Sequence, residues 1–212
     1  MILAIDTSTA ACSTALFDGA GRCVAQRDEL IGRGHSERLV PMIEELLEGR
    51  VADRILVGVG PGSFTGIRVG IAAAQGLAIG WDAKLSGMSS LALIAAGGAG
   101  EGPVAAAMHG GHGELLVQQF DQAPLAPSTQ LFNLPPAEAS ALISAESVVG
   151  PAAADLVAAR GWGHAIESWP STANALKLPG ELRSLPARPV YARAPDAKAR
   201  PSTSIATASK AA

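Results

Sequence analysis

Apolar positions along the first eighty residues change period in an ordered way. Ile2-Leu3-Ala4-Ile5 is a short apolar run. Cys12 to Phe17 and Cys23 to Arg27 flank a turn at Asp18-Gly19-Ala20-Gly21 and read as the arms of a hairpin. A two-residue connection there would pair residue 16 with 23 and 12 with 27. Leu39, Met42, Ile43, Leu46 and Leu47 then recur at helical spacing, one stripe of a helix that Gly49 can close. Ser36 is a candidate cap, but Pro41 lacks a backbone N–H, so the helix either kinks there or starts nearer Leu39. Ile55 to Val59 is another apolar strand. A second helix is predicted from Thr65 or Gly66 to Ile79, with Ile67, Ile71, Ala74 and Ala78 along one side. Gly66 and Gly70 interrupt it, and each costs about 1 kcal/mol relative to alanine. They call for a close backbone approach, either by the protein's own sheet and first helix or by a partner chain.

The glycine-rich stretch 95–103 is the best boundary between domains. Beyond it, Val104 to Met108 and Glu114 to Phe120 read as strands around a Gly110-Gly111 turn. A helix follows from Pro136 to Ser144, then a strand Ser147 to Val149, a helix Ala152 to Arg160 and an extended segment His164 to Glu167. Both halves open with strands and continue with alternating helices and strands. The expected organisation is an α/β chain of two lobes, 1–100 and 101–191, with a flexible tail over 192–212 that has almost nothing to bury.

Composition narrows the function. Of 212 residues 42 are alanine, only 17% are charged, and the formal net charge is −3. A soluble chain averages about a quarter charged residues, so part of this exterior is expected to be covered by a partner. With no basic stripe, the chain is not expected to grip nucleic acid on its own. Met1 to Ile5 meets Asp6 with no charged leader region before it, and no apolar run approaches the roughly 18 residues of a membrane span, so a cytoplasmic location is expected. Cys12 and Cys23 do not face each other across the hairpin and read as small buried hydrophobes.

Candidate chemistry is sparse. Asp6-Thr7-Ser8-Thr9 ends the first strand, where actin-like and sugar-kinase-like proteins place a nucleotide phosphate and its metal. Those enzymes usually have a glycine two residues after the aspartate, and here that position is Ser8. A turn closing the strand is the plainer reading. Gly58 to Gly66 lies between a strand and a helix, the setting of an anion-binding loop, yet it fits neither the Walker nor the dinucleotide spacing. Ser63 or Thr65 can cap the helix, and Arg68 can pair with a carboxylate. Asp6, Thr7, Ser8, Gly62, Ser63, Thr65 and Arg68 are thus a weak candidate nucleotide site. His109 and His112 sit on a glycine turn with Glu114 nearby but without ligands at metal spacing, so no metal site is assigned. Gly62-Ser63-Phe64-Thr65-Gly66 is no nucleophile elbow, and no catalytic set emerges.

Four segments together resemble the TsaB (YeaZ) family. These are Ile2 to Thr9, His35-Ser36-Glu37 with Leu39 and Pro41, Gly60 to Gly70 with Gln75-Gly76-Leu77, and Pro189 to Arg193 with Ala194 to Lys198. The resemblance is dense over the first ninety residues and near Tyr191, and loose over about 105–185. It implies an actin-like, sugar-kinase-like ATPase fold with two ribonuclease H-like lobes. It also implies a non-catalytic role in making N6-threonylcarbamoyladenosine at position 37 of tRNAs that read codons starting with A. The implied partners are the transferase TsaD as a heterodimer and the ATPase TsaE, with TsaC supplying the threonylcarbamoyl-adenylate. A homodimer is the alternative when TsaD is absent, and tRNA is reached only through the complex. ATP or ADP and metal belong on those partners, with no cofactor of the chain's own. The active paralogue's His-x-x-x-His pair is missing, because His35 is followed four positions later by Leu39. The implied interface uses the two N-terminal-lobe helices, and the stripes Leu39, Met42, Ile43, Leu46 and Ile67, Ile71, Ala74 are its expected contact residues. Met108 to Leu115 departs from the family's Asp-Ala-Arg-x-Gly-Glu-Val-Tyr pattern. The rival reading is an independent nucleotide-dependent enzyme using Asp6 and the glycine loop.

Overall fold

The computed structural model describes residues 1–98 and 102–192. Strands β1 (Ile2–Asp6), β2 (Ala11–Phe17), β3 (Cys23–Leu30), β4 (Arg54–Gly58) and β5 (Lys84–Met88) form one sheet in the order β3-β2-β1-β4-β5. Pairing is antiparallel from β3 to β1 and parallel from β1 to β5. A second sheet takes β6 (Val104–His109), β7 (Leu115–Gln122), β8 (Leu125–Pro127), β9 (Phe132–Leu134), β10 (Ser147–Val149) and β11 (His164–Ile166). Its order is β8-β7-β6-β10-β11, with β9 also paired to β7. It repeats the first in strand order and direction, antiparallel from β8 to β6 and parallel from β6 to β11. The likeness between the halves is therefore one of topology. It is the two-lobed, actin-like α/β arrangement.

Alternation along the strands separates three apolar layers. Leu3 and Ile5 of β1, Cys12 and Leu16 of β2, and Ile55 and Val57 of β4 face α1 (His35–Leu47) and α2 (Phe64–Trp81). Ala4, Ala15, Phe17 and Leu56 face the other way, onto α3 (Ser90–Ala96). Val104, Ala106, Met108, Leu116 and Phe120 of the second sheet close on α3 from the opposite side. Ala105, Ala107, Leu115 and Val117 pack under α4 (Pro136–Leu142) and α5 (Ala153–Arg160). Helix α3 is buried on every side between the two sheets. That burial hides it from any periodic pattern, because a helix apolar all round carries no amphipathic signal. The alanines facing it from both sheets let the layers approach closely.

Several details amend the sequence reading. The hairpin register is Cys12 opposite Glu29 and Leu16 opposite Ala25, with a bulge before Phe17 pairs with Cys23. The connection is longer than two residues because the Asp18 carboxylate accepts from the N–H groups of Ala20 and Arg22 at 2.9 Å each, organising a wider loop. Cys12 is buried as expected, but Cys23 is exposed. Helix α1 starts at His35 behind Gly34, whose φ of 93° no side-chain cap accompanies, so Ser36 is not the cap and Pro41 lies inside the helix. The second sheet ends with β11. From Ser171 the chain returns to the first lobe: Thr172 N donates to Ser13 Oγ at 2.7 Å, Leu185 pairs with Gly87, and Val190 N donates to Val59 O at 2.8 Å. As a packing unit the second lobe therefore does not run to 191. The expected tail lies, beyond Ala192, outside the described residues.

Candidate functional site

Asp6 ends β1 and is buried. Its Oδ1 accepts from Ser8 N at 2.9 Å and Ser8 Oγ at 2.7 Å, and its Oδ2 accepts from Ser90 Oγ at 2.7 Å. Burial raises its pKa above the ordinary carboxylate value, against the lowering effect of those hydrogen bonds and of His35. Gly58 stands directly behind Oδ2, where a Cβ would overlap the carboxylate. Both oxygens are thus taken by the chain's own donors. A nucleotide's metal, which this fold class implies, would have to displace them, so the residues present do not fit it.

The glycine loop is sealed onto the same strand end. Ser63 N donates to Ser8 O at 2.7 Å, and Gly62, at a φ of 151°, has no room for a Cβ against that carbonyl. Thr7 Oγ1 donates to Gly66 O at 2.7 Å, and Cβ atoms at Gly66 and Gly70 would collide with Thr7. The two helix glycines therefore serve the protein's own packing. Ser63 is the cap of α2, accepting from Gly66 N at 3.2 Å. Thr65 is exposed in the first turn. A cleft of about 270 Å³ remains between the lobes, lined by Ser8, Thr9, Gly62, Ser63, His109 and Trp169 among others. Of the weak nucleotide set, the structure brings Asp6, Thr7, Ser8, Gly62 and Ser63 together and excludes Arg68. That guanidinium lies 3.6 Å from the Phe64 ring centre, and its Nε donates to Tyr191 Oη at 2.9 Å, not to a carboxylate.

His35 is buried, with Nε2 donating to Ala11 O at 3.3 Å. His109 Nε2 pairs with Asp155 Oδ2 at 2.8 Å. Among the described residues no three His, Cys, Asp or Glu side chains are grouped to hold a metal ion.

The expected interface stripes are a correction. Leu39, Met42, Ile43, Leu46, Ile67, Ile71 and Ala74 are all buried against the first sheet. Their helical spacing marks the core side of α1 and α2, and burying each large side chain gains roughly 1.5–3 kcal/mol. A partner can touch only the opposite side. There α1 shows Glu37, Val40 and Glu44, and α2 shows Phe64, Arg68, Ala72, Gln75, Gly76, Ile79 and Gly80. Val40 is 58% exposed and Ile79 84%. A Cβ added at Gly76 or Gly80 meets nothing within 4 Å. Arg68 is the single charged residue of the 18-residue α2. The signal for this face was in the sequence, as apolar residues and glycines off the buried stripe.

The family model described as TsaD, tRNA N6-adenosine threonylcarbamoyltransferase, matches residues 28–129. The TsaB protein of Escherichia coli, named for tRNA threonylcarbamoyladenosine biosynthesis, is 44% identical over 102 residues, 45% of this chain and 43% of its own length. The Haemophilus influenzae TsaB is 43% identical over 99 residues, 44% and 41% of the two chains. The chain thus spans less than half the length of these curated relatives. The solved structure of YeaZ from Pseudomonas aeruginosa superposes with a TM-score of 0.75 at 32% identity, over 90% of this chain and 98% of that one. A relative above 30% identity that is matched over nearly its whole length shares both sequence and fold: the chain belongs to the TsaB (YeaZ) family.

Proposed function

We propose that this chain is a non-catalytic scaffold subunit in threonylcarbamoyladenosine biosynthesis on tRNA, holding and activating a TsaD-type transferase. On this reading the modified base is adenosine 37 of tRNAs reading codons that start with A. TsaE and TsaC are the accompanying proteins, and ATP, ADP and metal stay on the partners. The observation that carries the reading is the outer side of α2, which carries Arg68 as its single charge. A solvent-facing helix normally carries several charges, and here Ala72, Gln75, Gly76, Ile79 and Gly80 leave it smooth and thin enough for a partner helix to approach closely. The closed surroundings of Asp6 support the absence of catalysis by this chain.

The test is association with purified TsaD, measured by sedimentation for the native chain and for Ile79→Arg and Gly76→Arg, both at exposed sites. Binding is expected to fall at least tenfold in each variant, with modification of tRNA by the reconstituted complex falling in parallel. Unchanged binding in both folded variants would remove the proposed face. Calorimetry with ATP and magnesium on the isolated chain addresses the rival enzyme: micromolar binding lost on Asp6→Ala would restore it.

A further inference from the structure

We infer that Phe64, Arg68 and Tyr191 anchor the partner at the N-terminal end of the α2 outer face, with the Arg68 guanidinium receiving a carboxylate of the partner subunit. This rests on the reading that a TsaD-type subunit covers that face. The cluster is preassembled. The Phe64 and Tyr191 rings stack with centroids 5.1 Å apart and an interplanar angle of 27°. Arg68 lies over Phe64 at 3.6 Å and donates from Nε to Tyr191 Oη at 2.9 Å. Phe64 is nevertheless 48% exposed and Tyr191 37%.

Two observations select the occupant. Phe64, Arg68, Ala72, Gln75 and Ile79 follow one another at three- and four-residue steps, so the cluster continues the outer side of α2. Arg68 also forms no ion pair among the described residues, and α2 offers it no acid. A guanidinium held flat by an aromatic ring presents its terminal nitrogens in a fixed fork, the geometry that a carboxylate fills with two hydrogen bonds. Aromatic and arginine side chains are also the residue types that dominate interface energies. Tyr191 reaches this place because Leu185 pairs with Gly87 and Val190 N bonds Val59 O. The C-terminal strap, far from α2 in sequence, is then part of the docking surface.

The experiment compares the full chain with Arg68→Glu, Phe64→Ala, Tyr191→Phe and Ile79→Arg, titrating each with the TsaD-type subunit and recording the thermal melt of each free protein. Arg68→Glu and Phe64→Ala are each expected to weaken association about 30-fold or more with the melt unchanged, the loss typical of a hot-spot residue. Tyr191→Phe keeps the ring and is expected to cost less than about fivefold. Native affinity in Arg68→Glu and Phe64→Ala, beside a loss in Ile79→Arg, overturns the anchor and leaves the helix face standing. Native affinity in all four overturns both. A weakened Arg68→Glu whose melt also drops shows that the cluster only secures the strap, and overturns the anchor.

Discussion

Asp6 occupies the strand end where an actin-like enzyme would hold phosphate and metal, but its carboxylate is turned inward and held by Ser8 and Ser90. Burial raises its pKa from 3.8, so the folded chain holds this proton more tightly than the unfolded chain does. Stability from the proton is complete below the unfolded pKa of 3.8 and is lost as the pH rises through the higher folded value. Asp6→Asn keeps the side chain's size and removes the titration. The variant is expected to fold, and its stability should gain on the native chain over the pH range above 3.8 as the native chain gives up the Asp6 contribution. Urea denaturation of both proteins at several pH values measures the two slopes, and parallel slopes would show that Asp6 does not titrate in this window. The turn expected to close the strand accounts for the Ser8 N–H on Asp6 Oδ1, but the sequence does not show the hold on Oδ2. Ser8 was visible as a departure from the enzymes' glycine, but Ser90 comes from the start of α3, and only the tertiary fold brings it to the carboxylate.

Helix α2 carries glycines of two kinds, and the difference is one of face. Gly66 and Gly70 lie on the sheet side against Thr7, whereas Gly76 and Gly80 point a missing Cβ at open space. Alanine at 66 or 70 is expected to destabilise by about 1–3 kcal/mol through overpacking. Alanine at 76 should instead stabilise the isolated chain by about 0.8–1 kcal/mol, from helix propensity alone, while weakening association through lost close approach. A thermal melt of the free protein beside a binding titration reads both effects. A Gly76→Ala variant that melts lower than native would place an unseen packing demand on that site. The periodicity of α1 and α2 was legible in the sequence because each has one wet side and one dry side. The use of the dry side was misassigned to a partner, since spacing reports burial without reporting what does the burying. Pro41 left two starts open for α1, and the structure takes the earlier one, at His35 behind Gly34 with its φ of 93°, with Pro41 inside the helix.

At the scale of the molecule, two sheets of like topology are joined through α3 rather than held as separate cores. Phe17 and Leu56 of the first sheet and Phe120 and Met108 of the second belong to one buried cluster with Leu91 to Ala95 between them. The return strap adds polar ties: Ser13 Oγ donates to Asp28 and receives the N–H of Thr172, whose hydroxyl lies 2.8 Å from it. The pairing of lobes was readable as a repeated order of strands and helices, but their cementing was not. It rests on a helix without periodicity and on a C-terminal segment whose partners lie in the first lobe, far away along the chain. One consequence separates this arrangement from two independent domains. If a single cluster holds both sheets, removing volume from either side must lower the stability of the whole, and the chain must unfold in one transition. Leu56→Ala and Phe120→Ala are each expected to cost about 2–5 kcal/mol and to shift one shared midpoint, seen alike by calorimetry and circular dichroism. A second transition appearing in Phe120→Ala, with the first-sheet midpoint unmoved, would mean that α3 belongs to one lobe only and that the proposed partner face on α2 is insulated from the second lobe.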